Sequence, residues 1–286
     1  MGGEPRKSEP RRPTGKGGLG PLIGGRVAII GGGPGGTCAA LALVRKAKAR
    51  GRSIEVILFE PKEFGAHYNQ CAGVLSPPIQ GLLRRELELT LPSGLLQRQI
   101  AGYVLYGEDE SLDLPAQDSG ESTYAVRRVE FDQFLLDAAE KAGVQVERSR
   151  VYDVEFGPGG VILYSDGGTR EADVLVGAFG LDSTFGKALG RRTAYRMPPF
   201  LETVVTKIHP GGLERVPNLL GDRIHAFLPR LAAVEFGALV PKGNHITIII
   251  AGQRVGVPDM QAFLQLPFVH RLLPRDRAAE NYFKGA

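Results

Sequence analysis

Six consecutive residues, Gly31-Gly-Gly-Pro-Gly-Gly36, constrain this chain more than any others, because an apolar run leads into them and a helix of small residues leads out. The apolar run, Arg26-Val-Ala-Ile-Ile30, reads as a buried parallel strand. Gly31 permits a tight turn, Gly33 lets backbone N–H groups approach a pyrophosphate, and Gly36 lets the next helix pack closely on the strand. With Pro34 and Gly35 completing the turn, the positive end of that helix becomes an anion site. The helix is expected through Thr37–Arg45, with Ala40 small beneath the sheet. A second strand, Ile54–Phe59, ends at Glu60 and Pro61. A carboxylate at that point accepts the hydroxyl protons of an adenosine ribose. A lone G-x-G-x-x-G is weak evidence in a chain with 39 glycines, but strand, glycines, helix, strand and carboxylate occur here in order. The alternative is an ordinary βαβ unit with a glycine-rich turn and a surface glutamate. It leaves the spacing of the three glycines unexplained.

The 286 residues suffice for one large domain or two closely joined ones. The formal net charge of +4 owes much to the first 26 residues, where Arg6, Lys7, Arg11, Arg12, Lys16 and Arg26 face only Glu4 and Glu9. Beyond that tail the excess largely disappears, which argues against a nucleic-acid function. Residues 1–25, rich in Gly, Pro and basic side chains, are expected to be a disordered tail, and they lack the apolar segment of a signal peptide. Two cysteines, Cys38 and Cys71, suggest no disulfide framework, so the reducing cytoplasm is the default location. No uninterrupted apolar stretch is long enough for a membrane span, while peripheral membrane contact stays open.

Further along, Leu82–Leu91 looks helical, Gln99–Tyr106 looks like one strand, and residues 107–122 read as polar loop with room for a short strand. Phe131, Phe134, Leu135, Ala138, Ala139 and Ala142 recur at helical spacing, and Gly143 is the natural stop. From Val144 the pattern changes to short strands with turns at Gly157–Gly160 and Asp166–Gly168, and Val174–Ala178 returns as a buried strand. The run from about Tyr195 to Gly252 alternates strand-like segments with Pro and Gly turns. That pattern fits an antiparallel sheet covering the dinucleotide site. A last helix is expected over Pro258–Leu266. His67 and Cys71 lack a second zinc-ligand pair, and His209, His225, His245 and His270 are dispersed, so each histidine reads as a core or surface residue.

The fingerprint from Gly31 to Glu60, the Arg128-x-x-Phe131-Asp132 helix start and the segment Ala172 to Ser183 together resemble the FAD-dependent oxidoreductases of the p-hydroxybenzoate hydroxylase superfamily. Tyr68-x-x-Cys71-Ala-Gly73 and Phe236-Gly-Ala-Leu-Val-Pro-Lys-Gly243 look most like its geranylgeranyl reductase branch. The fold expected is α/β. A Rossmann-like FAD-binding domain is formed discontinuously from residues 26–75 and 124–190, and a second α+β domain on an antiparallel sheet from 76–123 and 191–286. The resemblance implies that Glu60 binds the adenosine ribose, that Arg128 lies near the pyrophosphate or ribityl chain of FAD, and that backbone near Val151 meets the adenine. It also implies that Cys71, Ala72 and Gly73 approach the flavin ring, with Cys71 the candidate for a chemical role. The plainer readings are an exposed charge ahead of a helix for Arg128, and a small buried apolar residue for Cys71.

Two departures stand out. Where the family carries Ala-Asp-Gly, this chain has Ala178-Phe179-Gly180, so either Asp182 supplies the carboxylate through a shifted turn or the contact is lost. A later Gly-Asp segment that closes the flavin site is not found, and Gly221-Asp222 comes too soon. The chain therefore reads as an incomplete member with an incomplete substrate domain, and weakened or absent FAD binding is expected. Only one dinucleotide fingerprint is visible, so electrons are expected from NAD(P)H bound transiently or from an electron-carrier protein. Their destination is a small apolar, isoprenoid substrate. A flavin-dependent aromatic monooxygenase and a nucleotide-binding remnant without turnover are the alternatives.

Overall fold

The computed structural model describes residues 25–65, 71–116, 120–212, 214–274 and 282–285. The basic tail up to residue 24, His67 and Tyr68 lie outside them. In chain order the elements begin with β1 (Arg26–Ile30), α1 (Pro34–Ala49), β2 (Glu55–Phe59), β3 (Val74–Leu75), α2 (Ile79–Leu87) and β4 (Leu96–Ile100). They continue with β5 (Gly102–Tyr106), β6 (Ser111–Pro115), β7 (Thr123–Val126), α3 (Arg128–Lys141) and β8 (Gln145–Glu147). Next come β9 (Val151–Gly157), β10 (Gly160–Ser165), β11 (Gly168–Ala172), β12 (Val174–Gly177), α4 (Ser183–Arg192) and β13 (Glu202–Ile208). The last are α5 (Arg215–Leu220), β14 (Arg223–Phe227), β15 (Phe236–Pro241), β16 (Ile246–Gly252), α6 (Val257–Gln265), α7 (Pro267–Arg271) and β17 (Phe283–Gly285).

The first apolar runs do form parallel strands, in the order β12-β1-β2-β8. Both faces of this sheet are covered, which is why its strands read as continuous hydrophobic runs rather than alternating ones. Val27, Ile29, Val56 and Leu58 pack into one cluster with Leu135, Leu136 and Ala139 of α3 and with Ala40 and Leu41 of α1. Ala28, Ile30, Ile57 and Phe59 face the other way, onto Val154 and Leu163 of the antiparallel sheet β11-β10-β9 and Phe185 of α4. The result is the expected α/β layer architecture with the glycine turn at the carboxyl edge of β1.

The second sheet differs from expectation in one respect. Its order is β17-β13-β16-β15-β14-β5-β6, and one pair, β14 with β5, runs parallel. The apolar stretch read as a single strand over Gln99–Tyr106 is broken at Ala101, because Gly102 turns the chain at φ 145°. β4 thus joins β7 and β3 in a small three-stranded sheet while β5 joins the large one. The helix expected at Leu82–Leu91 begins earlier, after Pro78, and stops at Leu87, where Glu88 takes a left-handed conformation at φ 52°. The apolar period continued through Leu89 and Leu91 because both still pack against the core from non-helical backbone. Helices α5, α6 and α7 cover one face of the large sheet around Phe263, Met260, Leu239 and Ile248. Its other face meets the small sheet through Ile100, Ala125, Ile224 and Val240, with Ala72 and Val74 against them. Among the described residues no helix is long and apolar enough to cross a membrane.

Candidate functional site

The turn between β1 and α1 shows why glycine recurs there, and each glycine answers a different demand. Gly31 adopts φ 104°, donates its N–H to Phe59 O at 2.9 Å, and would place a Cβ 2.3 Å from Ala178 O. A Cβ on Gly36 would lie 1.8 Å from Gly31 O. Gly33 and Gly35 have nothing within 4 Å of where a Cβ would be, so the backbone is bare and open on the side that a ligand would approach. α1 starts from Gly33 with Pro34 in its first turn, no side-chain cap and no acidic residue in that turn, so its amides keep the positive end of the helix.

Glu60 sits at the mouth of this turn. Its side chain is 7% exposed, Gly32 N–H donates to Oε2 at 2.8 Å, and Lys62 N–H donates to Oε1 at 2.8 Å. A carboxylate has about four acceptor positions, so each oxygen keeps one for a further donor. Sequence reasoning missed Gly32: a Cβ there would lie 2.6 Å from the Glu60 Cβ, so the glycine admits the carboxylate. Its adjacency to the fingerprint glycines carries no signal of that role. Pro61 follows on the surface, and the Glu60 N–H bonds Glu147 O at 3.0 Å, which ties this corner to β8. Val151, buried at the start of β9, packs with Ile57 and Phe59 on the same edge.

The residues expected at the ring end form a second group. Cys71 is exposed, its Sγ accepts from Gly73 N–H at 3.4 Å, and Arg128 Nη1 lies 3.6 Å from the same sulfur. Arg128 is not the exposed charge of the plainer reading. Its Nε and Nη2 donate to Asp132 at 2.7 and 3.3 Å, and the carboxylate is almost fully buried. Burial works against the guanidinium charge, and the bonds to Asp132 outweigh it, so its pKa is raised. Ala72 is half-buried against the small apolar cluster, and Gly73 turns at φ 65°. Asp182 caps α4, its Oδ1 accepting from Thr184 N–H at 2.9 Å and Phe185 N–H at 3.2 Å. Phe179, which stands where the family carries a carboxylate, packs edge-on against Phe185 and Tyr195 at centroid distances of 4.9 and 5.7 Å. The ring extends the apolar cluster around Phe185.

Lys242 is a site residue that the sequence reading passed over. Its side chain is 2% exposed, and Nζ donates to Gly73 O at 2.7 Å and Val126 O at 2.8 Å. Burial pulls its pKa down to about 7, Cys71 opposing the shift and Lys207 adding to it. Nearby His245 is pushed to about 3, first by burial and then by Lys207, His209, Lys242 and Arg127. Lys242 lies in the Phe236–Gly243 segment directly after the apolar strand β15, and that position is its one signal in the sequence. An aromatic pocket of about 320 Å³ lined by Tyr106, Phe227, Leu228 and Phe268 lies at the α7 end of the large sheet. It shares no residue with the glycine turn or the Gly73 turn and is separate from both.

A sequence-family model for the FAD binding domain matches residues 25–209. Digeranylgeranylglycerophospholipid reductase of Methanothrix thermoacetophila is 26% identical over 273 residues, which cover 91% of this chain and 65% of that protein. Geranylgeranyl diphosphate reductase of Synechocystis sp. is 30% identical over 179 residues, 57% of this chain and 40% of the relative. The chain thus spans about two thirds of the first relative and less than half of the second. The solved structure of a geranylgeranyl bacteriochlorophyll reductase-like protein from Thermoplasma acidophilum shares the fold, with a TM-score of 0.70 at 19% identity. That match covers 92% of this chain and 66% of the other.

Proposed function

The chain belongs to the FAD binding domain family, and on that premise we propose that it holds FAD for an oxidoreductase acting on an apolar, isoprenoid substrate. The observation that carries this reading is the pairing of an open backbone cradle at Gly33 and Gly35 with the Glu60 carboxylate at its mouth. The residues fit the cofactor. The amides at the start of α1 suit a pyrophosphate, Glu60 suits the ribose hydroxyls, and the edge near Val151 suits an adenine. Arg128 and the Cys71–Gly73 turn are the groups for the ring end. FAD, when bound, supplies the capacity to take up and release two electrons.

The protein's own contribution is to bind, orient and exclude water. The α1 terminus supplies positive potential without a mobile side chain, and Asp132 holds Arg128 in place through two hydrogen bonds. The isoprenoid assignment is supported by the reductase names of the two relatives. Electrons reach the site from NAD(P)H bound transiently or from a carrier protein, since one dinucleotide fingerprint serves one cofactor.

Titration with FAD, followed by quenching of flavin fluorescence, tests the reading. Any binding is expected at one FAD per chain and with weakened affinity. Gly33→Val, which points a side chain into the open cradle at a residue with an ordinary φ of −67°, is expected to abolish binding while leaving the melting temperature unchanged. Equal FAD binding by the two proteins would overturn the assignment.

A further inference from the structure

Lys242 belongs to the large sheet by its backbone and to the FAD-binding half by its side chain. Its N–H donates to His245 O at 2.9 Å, and its own carbonyl accepts from Arg98 Nε at 2.9 Å, so the main chain is clamped at both polar groups. The amine then reaches two carbonyls of the other half: Gly73 O, in the turn assigned to the flavin ring, and Val126 O, two residues before Arg128. Gly73 O also accepts the Val126 N–H at 2.8 Å, so one carbonyl joins both strands of the turn and the lysine. The fit leaves no slack. A Cβ on Gly73 would lie 2.3 Å from Val126 O and 3.0 Å from the lysine Nζ.

We propose that Lys242 is a positioning residue that fastens the Cys71–Gly73 turn and the start of α3 to the large sheet, and so governs how firmly the ring end of the flavin is held. The inference deepens the FAD reading above and rests on it for the identity of the ligand. The fastening itself is a property of the chain alone. Arg128, whose guanidinium reaches Cys71, begins two residues beyond Val126, so releasing the lysine frees the turn and the arginine together. The phosphate cradle is unaffected, because its glycines touch none of these groups.

The charged groups around the amine decide how the fastening responds to pH. Cys71 acts on it from the turn and Lys207 from β13, while His245, in the turn between β15 and β16, shares the corner with Arg127 at the cap of α3 and His209 just past β13, and Arg98, paired with Asp222, holds the lysine carbonyl from β4. The site is dry and Lys207 adds a nearby cation, so the closed state disfavours the ammonium form. Opening lets the amine recover its solvated pKa of about 10.4. The open state therefore binds more protons than the closed one between pH 7 and that value, and raising the pH through this range favours closure. From pH 6.5 to 8.5 the opening constant is expected to fall by roughly tenfold or more.

Hydrogen exchange at the Gly73 and Val126 amides, in the full chain without FAD at pH 6.5 and 8.5 and corrected for intrinsic rates, reads this opening directly. In the wild type, opening is expected to fall with pH as stated. Lys242→Met is expected to raise opening at both amides at least tenfold and to remove the pH dependence, with Ile29 and Leu58 unchanged. Lys242→Arg, which keeps two donors but does not titrate, is expected to restore much of the protection with a flat profile. Wild-type exchange without pH dependence, or a Met variant as protected as wild type, overturns the proposal. If the Met variant does not fold, the wild-type and Arg profiles still decide. A parallel FAD titration should show weaker binding for Lys242→Met. Should the wild type bind no FAD, the cofactor reading fails while the exchange result still judges the fastening.

Discussion

A methyl group added at Gly36 would collide with the Gly31 carbonyl, whereas one added at Gly33 meets open space. The two positions carry the same residue for different reasons, one for packing and one for access. Gly36→Ala is therefore expected to destabilise the fold by about 3 kcal/mol or more, since the obstacle is backbone and cannot swing aside. Urea unfolding measures the loss, and a cost below 1 kcal/mol would contradict the packing role. His245 makes a second prediction at this scale. It is 6% exposed and neutral in the fold down to about pH 3, while in the unfolded chain it titrates near 6.5. The unfolded state then binds more protons between those values, so its contribution to stability is complete above pH 6.5 and is lost as the pH falls toward 3. At pH 5 the loss is about 2 kcal/mol. His245→Gln removes the titrating group, and unfolding at pH 7 and 5 should show a shallower acid loss in the variant.

Among the elements, α4 shows a side chain with a structural role beside the one expected of it. Asp182 is the candidate to replace the carboxylate missing at Phe179, and its Oδ1 bonds two amides at the start of the helix, which has no acidic residue in its first turn. Asp182→Ala is expected to cost about 1 kcal/mol of stability by thermal unfolding. A cap effect of that size with unchanged FAD affinity would separate the structural role from a cofactor role. The split of the Gln99–Tyr106 run is a similar case. Both halves have strand composition, and only the backbone turn at Gly102 assigns them to different sheets.

For the molecule as a whole, the three-layer α/β half and the sheet covered by α5, α6 and α7 have separate cores. They meet through the small cluster of Ile100, Ala125, Ile224 and Val240 and through Lys242. Ile100 is 2% exposed within that junction. Ile100→Ala is expected to cost about 2–5 kcal/mol and to uncouple the two halves, so that denaturant unfolding followed by separate probes no longer coincides. Coincident transitions in the variant would show that the junction is not what couples them.

The α/β class, the glycine turn, the placement of Glu60 beside it and the presence of a strand-rich second half were all legible before any coordinates. Each depends on local signals: the length of apolar runs, the spacing of glycines, and turn residues between short strands. The parallel pairing of β14 with β5, the contact of Arg128 with Cys71, the packing of Phe179 and the reach of Lys242 into the other half were decided only by the tertiary structure. In each of them the partners are brought together by packing, and a side chain's pattern along the chain records whether it is buried but not against what.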